Sequence, residues 1–339
     1  VQQAQGDLAA ALTSYQASLA IRERLATADP GNAGWQRDLS VSHNKIGAVQ
    51  QAQGDLAAAL TSYQGSLAIR VRLAAADPGN AGWQRDLSFS QEKIGDVQQA
   101  QGDLAAALTN YQASLAIRER LAKADPGNAG WQYDLGISNE RIGTVQMAQG
   151  NLAEALISYR GKFAIIERLA TSDPGNAGWQ RDLSVSQEKT GEVQQEQGDL
   201  AAALTSYQAS LAIRERLAKA DPGNAGWQRD LSVSHNKIGD VQQAQGDLAA
   251  ALTSYQASLA IRERLATADP GNAGWQRDLA VSYGRVGLIE VRQGARDEAL
   301  KAFQRGRDII AQLMPRSPDN AVLRNDLTWF DSQVGTHDK

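Results

Sequence analysis

Residues 80–127 read NAGWQRDLSFSQEKIGDVQQAQGDLAAALTNYQASLAIRERLAKADPG, and this stretch decides the fold because the chain repeats it almost unchanged. Equivalent residues recur every 48 positions without a slip in register. The landmarks are glycines from Gly6 to Gly294, tryptophans from Trp35 to Trp275 and prolines from Pro30 to Pro318. A fixed period of roughly 20–50 residues is the signature of a stacked repeat architecture. The sequence therefore predicts a solenoid that grows one unit at a time.

Tight turns divide each unit into two helices, A and B. Proline disfavours helical geometry in the residue before it, so the turn Asp77–Asn80 ends one helix. Gly79 suits the positive φ of a type II turn, and Asn80 is a natural N-cap for helix A. Gly102 predicts a left-handed C-cap for helix A, after which Asp103 caps helix B. We expect helix B at residues 7–28, 55–76, 103–124, 151–172, 199–220, 247–268 and 295–314, a C-terminal capping helix at about 320–334 and a tail at 335–339.

Apolar residues within both helices follow the 3.6-residue period of an amphipathic helix. They include Trp83, Leu87, Ile94 and Val97 in helix A, and Leu104, Leu108, Tyr111 and Leu115 in helix B. Alanine-rich stretches favour helix further, and no segment alternates with the period of two that marks a strand. The patterns predict an all-α chain in which residues 1–339 form a single solenoid of antiparallel helix hairpins.

The composition excludes several kinds of protein. The net charge is −4 and the pI is about 5.5, which gives no overall attraction to nucleic acid or to an anionic membrane. The chain has no cysteine, which excludes disulfides, thiolate zinc sites and thiol nucleophiles. No apolar run of about 18 residues predicts a membrane span, and no signal-peptide pattern is present. We expect a cytoplasmic location.

No residue pattern predicts catalysis, a metal or a cofactor. His43, His235 and His337 cannot converge on one ion, because a solenoid separates equivalent positions. The recurring Asp-Pro-Gly-Asn lacks the alternating oxygen ligands of a calcium loop. Nucleotide-binding loops, nucleophile elbows and zinc-protease motifs are missing as well. We therefore expect a protein that is not an enzyme and carries no cofactor or metal.

Small and large residues inside each unit resemble the tetratricopeptide repeat. Ile94-Gly95, Gly102, Ala107 and Tyr111 match that family's pattern of Leu-Gly, Gly, Ala and aromatic, and the match recurs in every complete unit. A glycine on helix A facing an alanine on helix B would let the two backbones approach closely. The unit has 48 residues where the family has 34, a lengthening similar to that of kinesin light chains and bacterial signalling proteins. The resemblance implies a right-handed superhelical α-solenoid that binds proteins.

The resemblance also implies where a partner would bind. In the family helix A lines a concave groove, and the matching face here carries rows of residues that begin at Arg37, Asn44, Ala48 and Gln51. These rows vary between units of this chain, most of all in the third and fourth units, while the core positions barely change. We predict that a peptide or protein binds this face through Arg85, Glu92, Asp96, Gln99, Tyr133, Glu140, Met147, Arg181, Glu188 and Glu192.

The predicted function is a protein-interaction scaffold or a sensor. The opening VQQAQG reads as the end of a helix, so we expect a fragment of a larger multidomain signalling protein. Alternatives stay open: the varying rows are also compatible with drift on a solvated face, and the basic rows that begin at Arg37 and Lys45 could read RNA one base per unit. The solenoid could also self-associate through its ends or edges. The regularly spaced tryptophans could bind a ligand, although their position favours packing between units.

Overall fold

A computed structural model describes residues 7–337, and within that range the chain consists of helices and short turns without a β-strand. The B helices are α1 (Leu8–Ala28), α3 (Leu56–Ala76), α5 (Leu104–Ala124), α7 (Leu152–Ser172), α9 (Leu200–Ala220), α11 (Leu248–Ala268) and α13 (Arg296–Leu313). The A helices are α2 (Ala33–Ala52), α4 (Ala81–Ala100), α6 (Ala129–Ala148), α8 (Ala177–Glu196), α10 (Ala225–Ala244), α12 (Ala273–Arg292) and α14 (Ala321–His337). A short 3-10 helix, Met314–Arg316, follows α13. The all-α prediction is confirmed.

The helix ends are fixed by the predicted capping residues. The Asp103 Oδ1 atom accepts a hydrogen bond from the Ala106 amide at 3.0 Å, so the helix proper starts one residue after the predicted range. The Asn80 Oδ1 atom accepts from the Trp83 amide at 3.1 Å in the same way. Gly102 has a φ of +83°, which confirms the left-handed cap after helix A. A residue with a Cβ would be strained there.

The turn between units differs from the predicted type II turn. Gly79 does not have a positive φ. Within residues 7–337, the glycines with a positive φ all occupy the position of Gly102 in their unit. The Asn80 amide donates to the Asp77 carbonyl at 3.1 Å and closes the turn. In the equivalent turn of another unit, the Gly127 amide donates to the Asp125 carboxylate at 3.2 Å. The aspartate side chain therefore holds the turn, and the glycine does not need left-handed geometry.

The glycine on helix A makes room for an aromatic ring and not for an alanine, which corrects the predicted contact. A Cβ built on Gly95 would lie 2.6 Å from the Tyr111 ring of the same hairpin. Ala107 and Tyr111 are fully buried with Ile142 and Val145 of the following helix A. The ring therefore joins its own hairpin to the next one, and such contacts between neighbouring repeats contribute to the stability of a solenoid.

The last helix is longer than predicted. Helix α14 continues to His337, so the predicted end at residue 334 and the predicted tail are wrong for residues 335–337. The Thr336 hydroxyl donates to the Ser332 carbonyl at 2.8 Å within this extension. Residues 338 and 339 of the predicted tail lie outside the described range.

The chain divides into two compact units, Val1–Leu169 and Ala170–Lys339, and the division falls within α7. In the first unit α2 packs on α3 and α4 on α5, and each pair contacts the helix that follows it. In the second unit α8, α10 and α12 pair with α9, α11 and α13 in the same way, and α14 packs on α13. The prediction of one solenoid over residues 1–339 stays a prediction.

Candidate functional site: the helix-A face

The first predicted row forms a ladder of ion pairs between successive A helices. The Arg85 Nε atom on α4 lies 2.6 Å from the Asp134 carboxylate on α6, and the Arg181 Nε atom on α8 lies 2.6 Å from the Asp230 carboxylate on α10. The hydrogen bond to Asp134 raises the pKa of Arg85. About half of each arginine side chain remains exposed, so the ladder lies at the surface of the helix-A face. We call these residues the ladder arginines: Arg37, Arg85, Arg181, Arg229 and Arg277.

The glutamates of the second predicted row point into the hairpins. The Glu92 carboxylate lies 2.6 Å from the Arg118 guanidinium of helix B, and both side chains are less than a tenth exposed. The Glu188 carboxylate lies 2.5 Å from Arg214 in the same arrangement. A buried carboxylate without a cation would be costly, so these glutamates act first as internal counterions.

Buried arginines of helix B are the feature that sequence reasoning missed. Arg118 also donates to the Ser88 hydroxyl of its own hairpin, and to the Asp134 carbonyl and the Ser138 hydroxyl of the next helix A. We call this set the core arginines: Arg70, Arg118, Arg214 and Arg262. The signal was present in the sequence, because a charged residue recurs on the same helical stripe as Tyr111 and Ser114.

Glu140 has a different counterion. Its carboxylate lies 2.7 Å from the Lys162 ammonium group on α7, and the lysine side chain is almost fully buried. The equivalent position is serine in five of the other B helices, as at Ser114 and Ser210, and is Gly306 in α13. Glu140 is therefore held inside its hairpin like Glu92 and Glu188, but from a position one helical turn away.

The third predicted row lies between the basic residues of two A helices. The Glu192 carboxylate accepts from Lys189 on its own helix at 2.7 Å and from Lys237 on the next helix at 2.9 Å. Burial opposes ionisation of Glu192, but the hydrogen bonds and charges of the two lysines together lower its pKa below the ordinary value. Asp96 occupies the same position in an earlier unit, where it accepts from Lys93 at 2.8 Å.

The remaining predicted residues have less specific surroundings. The Gln99 side-chain oxygen lies 3.0 Å from the Tyr111 hydroxyl, which is also 2.9 Å from Asp96. Burial and the negative charge of Asp96 raise the pKa of Tyr111, so the phenol keeps its proton and donates. Tyr133 and Met147 are half-buried on α6. Tyr133 stands where five other units carry a ladder arginine.

An apolar row, which the sequence prediction also missed, lies between the ladder arginines and the basic row of Lys93. It is one helical turn from each of them, so all three rows share one face of helix A. We call it the apolar row: Val41, Phe89 and Ile137 in the first unit, and Val185, Val233, Val281 and Trp329 in the second. All seven side chains are partly or largely exposed, and Phe89 is 41% exposed.

A cleft of about 390 Å³ opens at the end of the apolar row in the second unit. Its apolar lining includes Val281, Leu288, Trp329 and Phe330, and Leu288 and Trp329 are 42% and 37% exposed. Gly284 leaves this space open, because a Cβ there would come within 3.0 Å of the Trp329 ring. At the rim, Arg285 is paired with Asp240.

The structure offers little support for the alternative reading as an RNA binder. The ladder arginines are paired with aspartates, and Lys93, Lys189 and Lys237 of the second basic row are paired with Asp96 and Glu192. Binding to a nucleic acid phosphate would have to displace those carboxylates. The helix-A face is therefore close to electrically balanced, with apolar side chains at its centre.

The tryptophans at the start of helix A are half-buried, which corrects the expectation that they form the core between units. Trp131, Trp227 and Trp275 each line a surface cleft and are absent from the buried core.

His43 and His235 are half-buried as well, and burial lowers their pKa. Within residues 7–337 no group of His, Cys, Asp and Glu residues could hold a metal ion. None of the helices in that range combines the length and apolar character needed to cross a bilayer.

No family model and no curated protein sequence matches the chain. Solved structures do match, among them the apo form of RapI at a TM-score of 0.61 and 12% identity, covering 96% of this chain and 86% of that one. BtubC (BKLC) from P. vanneervenii matches at a TM-score of 0.59 and 17% identity, covering 76% and 92%. The TPR-like repeats of a putative kinesin light chain from Podosopora anserina match at 0.51 and 16% identity, covering 66% and 94%. At these identities the likeness shows that the chain has a tetratricopeptide-type fold.

Proposed function

We propose that the chain is a protein-binding scaffold whose helix-A face holds an extended segment of a partner protein. The observation that carries this proposal is the partly exposed apolar row, which runs along the A helices of each compact unit and, in the second, leads to the cleft at Leu288 and Trp329. Exposed apolar residues that follow one another in this way are typical of protein interaction surfaces. A role as the sensor of a larger signalling protein in the cytoplasm belongs to the same proposal and rests on the resemblance alone.

The apolar row supplies affinity, and the charges beside it supply selectivity. Burying one valine-sized or leucine-sized side chain contributes about 1.5–3 kcal/mol. The neighbouring charges are already paired, so they add little attraction, but a partner must match their pattern to avoid leaving a charge unpaired. Of the predicted residues, the exposed Arg85 and Arg181 would flank the bound segment directly. Glu92 and Glu188 would act by positioning the helices that carry the row.

The test is a selection of random displayed peptides on the whole chain, followed by binding measurements with the selected peptides. We expect enriched peptides to contain spaced apolar residues and to bind with micromolar or better affinity in a fluorescence anisotropy assay. Replacing Val233→Asp and Val281→Asp together should raise the Kd by about tenfold or more, because each change places a charge where an apolar group was bound.

The matched control is the double variant Gln208→Asp and Gln256→Asp, which adds the same charges at exposed positions of helix B. It should bind like the unmodified chain, and circular dichroism melting should show that both variants remain folded. The helix-A face is not the binding surface if the selection yields no binding peptide. The same conclusion follows if the Val233→Asp and Val281→Asp changes leave the Kd of the selected peptides unchanged.

A further inference from the structure

A third row of arginines differs from the other two in having no acidic partner. The ladder arginines pair with aspartates of the next helix A, and the core arginines are buried among serine, glutamate and carbonyl oxygens. In contrast, no member of the third row forms an ion pair within residues 7–337, although all six are exposed near the end of helix B. We call these residues the edge arginines: Arg24, Arg72, Arg120, Arg168, Arg216 and Arg264.

Three edge arginines stand at the rim of equivalent surface clefts. The cleft at Arg120 in the first compact unit has a volume of about 470 Å³. Those at Arg216 and Arg264 in the second have volumes of about 450 and 410 Å³. Each is built from the turn that begins one helix A, the last two turns of the following helix B and the tryptophan that begins the next helix A.

The interior of each cleft is apolar. In the cleft at Arg216 the lining comes from Pro174, Ile213, Leu217 and Trp227, and the only other long polar side chain is Gln180. A proline ring, two aliphatic chains and the indole of Trp227 fit an aliphatic or aromatic side chain. The cleft at Arg264 also contains Asp269, but in that turn the Asp269 carboxylate accepts from the Gly271 amide at 3.1 Å.

We propose that the two clefts of the second compact unit, at Arg216 and Arg264, form a second docking surface, which binds an acidic segment of a partner protein with one apolar side chain in each cleft and a carboxylate on the edge arginine. Charge complementarity selects this occupant, because Arg216 is the charged residue in the lining of its cleft and a guanidinium group pairs with a carboxylate through two parallel hydrogen bonds. The surface shares no lining residue with the apolar row or with its terminal cleft. It therefore stands independently of the proposed function of the helix-A face.

Single-stranded RNA is the occupant that this chemistry could be confused with, since bases stack on tryptophan and phosphates bind arginine. The clefts favour a side chain over a base, because Pro174, Ile213 and Leu217 present aliphatic walls and Trp227 is the single aromatic residue in its cleft. The experiment includes RNA as a competing ligand for this reason.

The probe is a fluorescein-labelled peptide of eight residues that alternates aspartate with leucine, measured by fluorescence anisotropy on the whole chain. Matched peptides replace every aspartate with lysine or every leucine with serine. We expect the aspartate–leucine peptide to bind and both matched peptides to bind at least about tenfold more weakly, because each lacks one of the two kinds of contact. Labelled oligouridine is expected to bind more weakly than the aspartate–leucine peptide.

The double variant Arg216→Gln and Arg264→Gln should raise the Kd of the aspartate–leucine peptide by about tenfold through the loss of charge-assisted contacts. The control double variant, Arg292→Gln and Arg296→Gln, removes two exposed charges that line none of the clefts, and should leave the Kd within about twofold. Val233→Asp with Val281→Asp should also leave it unchanged, which separates this surface from the helix-A face.

The proposal is overturned if the aspartate–leucine peptide does not bind at millimolar concentration, or if it binds no better than its lysine counterpart. It is also overturned if the control double variant weakens binding as much as the cleft double variant. Tighter binding of oligouridine than of the peptide would assign the clefts to nucleic acid instead.

Discussion

Two kinds of hairpin interior occur in this chain, and they differ in one coordinated set of residues. In the hairpin of α4 and α5 the buried Arg118 is held by Ser88, Glu92 and Ser138. The equivalent of this arginine in α7 is Ile166, which is fully buried. Ile310 occupies the same position in α13 and is also fully buried. At this position the hairpin interior therefore changes from a guanidinium group to an aliphatic side chain.

The serine partner disappears wherever the arginine does. Ser88, the partner of Arg118, is replaced by Gly136 in the hairpin of Ile166 and by Ala280 in the hairpin of Ile310. Ile166 lies directly beside Gly136. A buried hydroxyl without a partner costs free energy, so the two replacements are coupled by hydrogen bonding as well as by size. This comparison teaches that the arginine and its serine act as a pair, which is kept or replaced as a whole, whereas the glutamate is kept beside Ile166 as Glu140, with Lys162 as its cation.

Removing the buried arginine from its polar partners should have the largest effect on the free energy of unfolding. Arg118→Ile leaves Glu92 buried without its cation and should lower the free energy of unfolding by about 3–5 kcal/mol. The triple variant Ser88→Gly, Ser114→Lys and Arg118→Ile rebuilds the arrangement of Gly136, Lys162 and Ile166. It should recover more than half of the loss, because the new lysine can pair with Glu92. Guanidinium denaturation followed by circular dichroism measures both.

A suitable control is Arg160→Ile, which removes an exposed arginine of α7 and should change stability by no more than about 0.5 kcal/mol. If the triple variant is no more stable than Arg118→Ile alone, the three positions do not form one exchangeable group.

The glycine of helix A should respond differently in the two hairpins, with an intermediate effect. A Cβ on Gly95 would lie 2.6 Å from the Tyr111 ring, whereas a Cβ on Gly143 would lie 3.1 Å from Tyr159. We expect Gly95→Ala to lower the free energy of unfolding by about 1–3 kcal/mol through overpacking. In Gly143→Ala the milder contact is largely offset by the higher helix propensity of alanine, worth about 1 kcal/mol.

Thermal melting of the two variants side by side gives the comparison. Equal losses would mean that the rings adjust equally well in both hairpins and that the closer approach of Tyr111 has no energetic consequence.

The smallest effect is expected from pH, at a position where near-identical units carry different residues. His43 and His235 occupy the position that is Gln91 and Gln187 in two other units. Burial lowers the pKa of both histidines, and the charges of nearby glutamates only partly oppose it. The unfolded chain therefore takes up protons first as the pH falls, so this stability is complete above about pH 6.5 and declines below it.

Denaturation midpoints between pH 8 and pH 5 test this expectation. The double variant His43→Gln and His235→Gln should show a shallower decline of the denaturation midpoint below about pH 6.5. Between about pH 6.5 and pH 8 its midpoint should follow that of the unmodified chain. Identical pH profiles for the variant and the unmodified chain would refute the assignment of the decline to these two side chains.

Much of the fold could be predicted from the sequence because its determinants are local. The helix period, the Asn80 and Asp103 caps and the left-handed Gly102 each depend on residues within a few positions of one another. The turn type was predicted wrongly for the same local reason, since a glycine permits a positive φ but does not require it. The ten predicted binding residues remain a proposal, and the apolar row between them was not predicted, because only the packing of neighbouring helices decides which apolar side chains stay exposed.

The sequence alone determined that stacked α-hairpins repeat every 48 residues, because periodic apolar side chains and caps act over one or two helical turns. Only the tertiary structure decided what each charge does. Arg85 reaches an aspartate 49 residues away, Arg118 reaches a serine 30 residues back, and Arg216 reaches neither kind of partner. Arginines at three positions of the 48-residue repeat thus have three different roles, because the helices packed against each position, and not the local sequence, supply or withhold the polar partner.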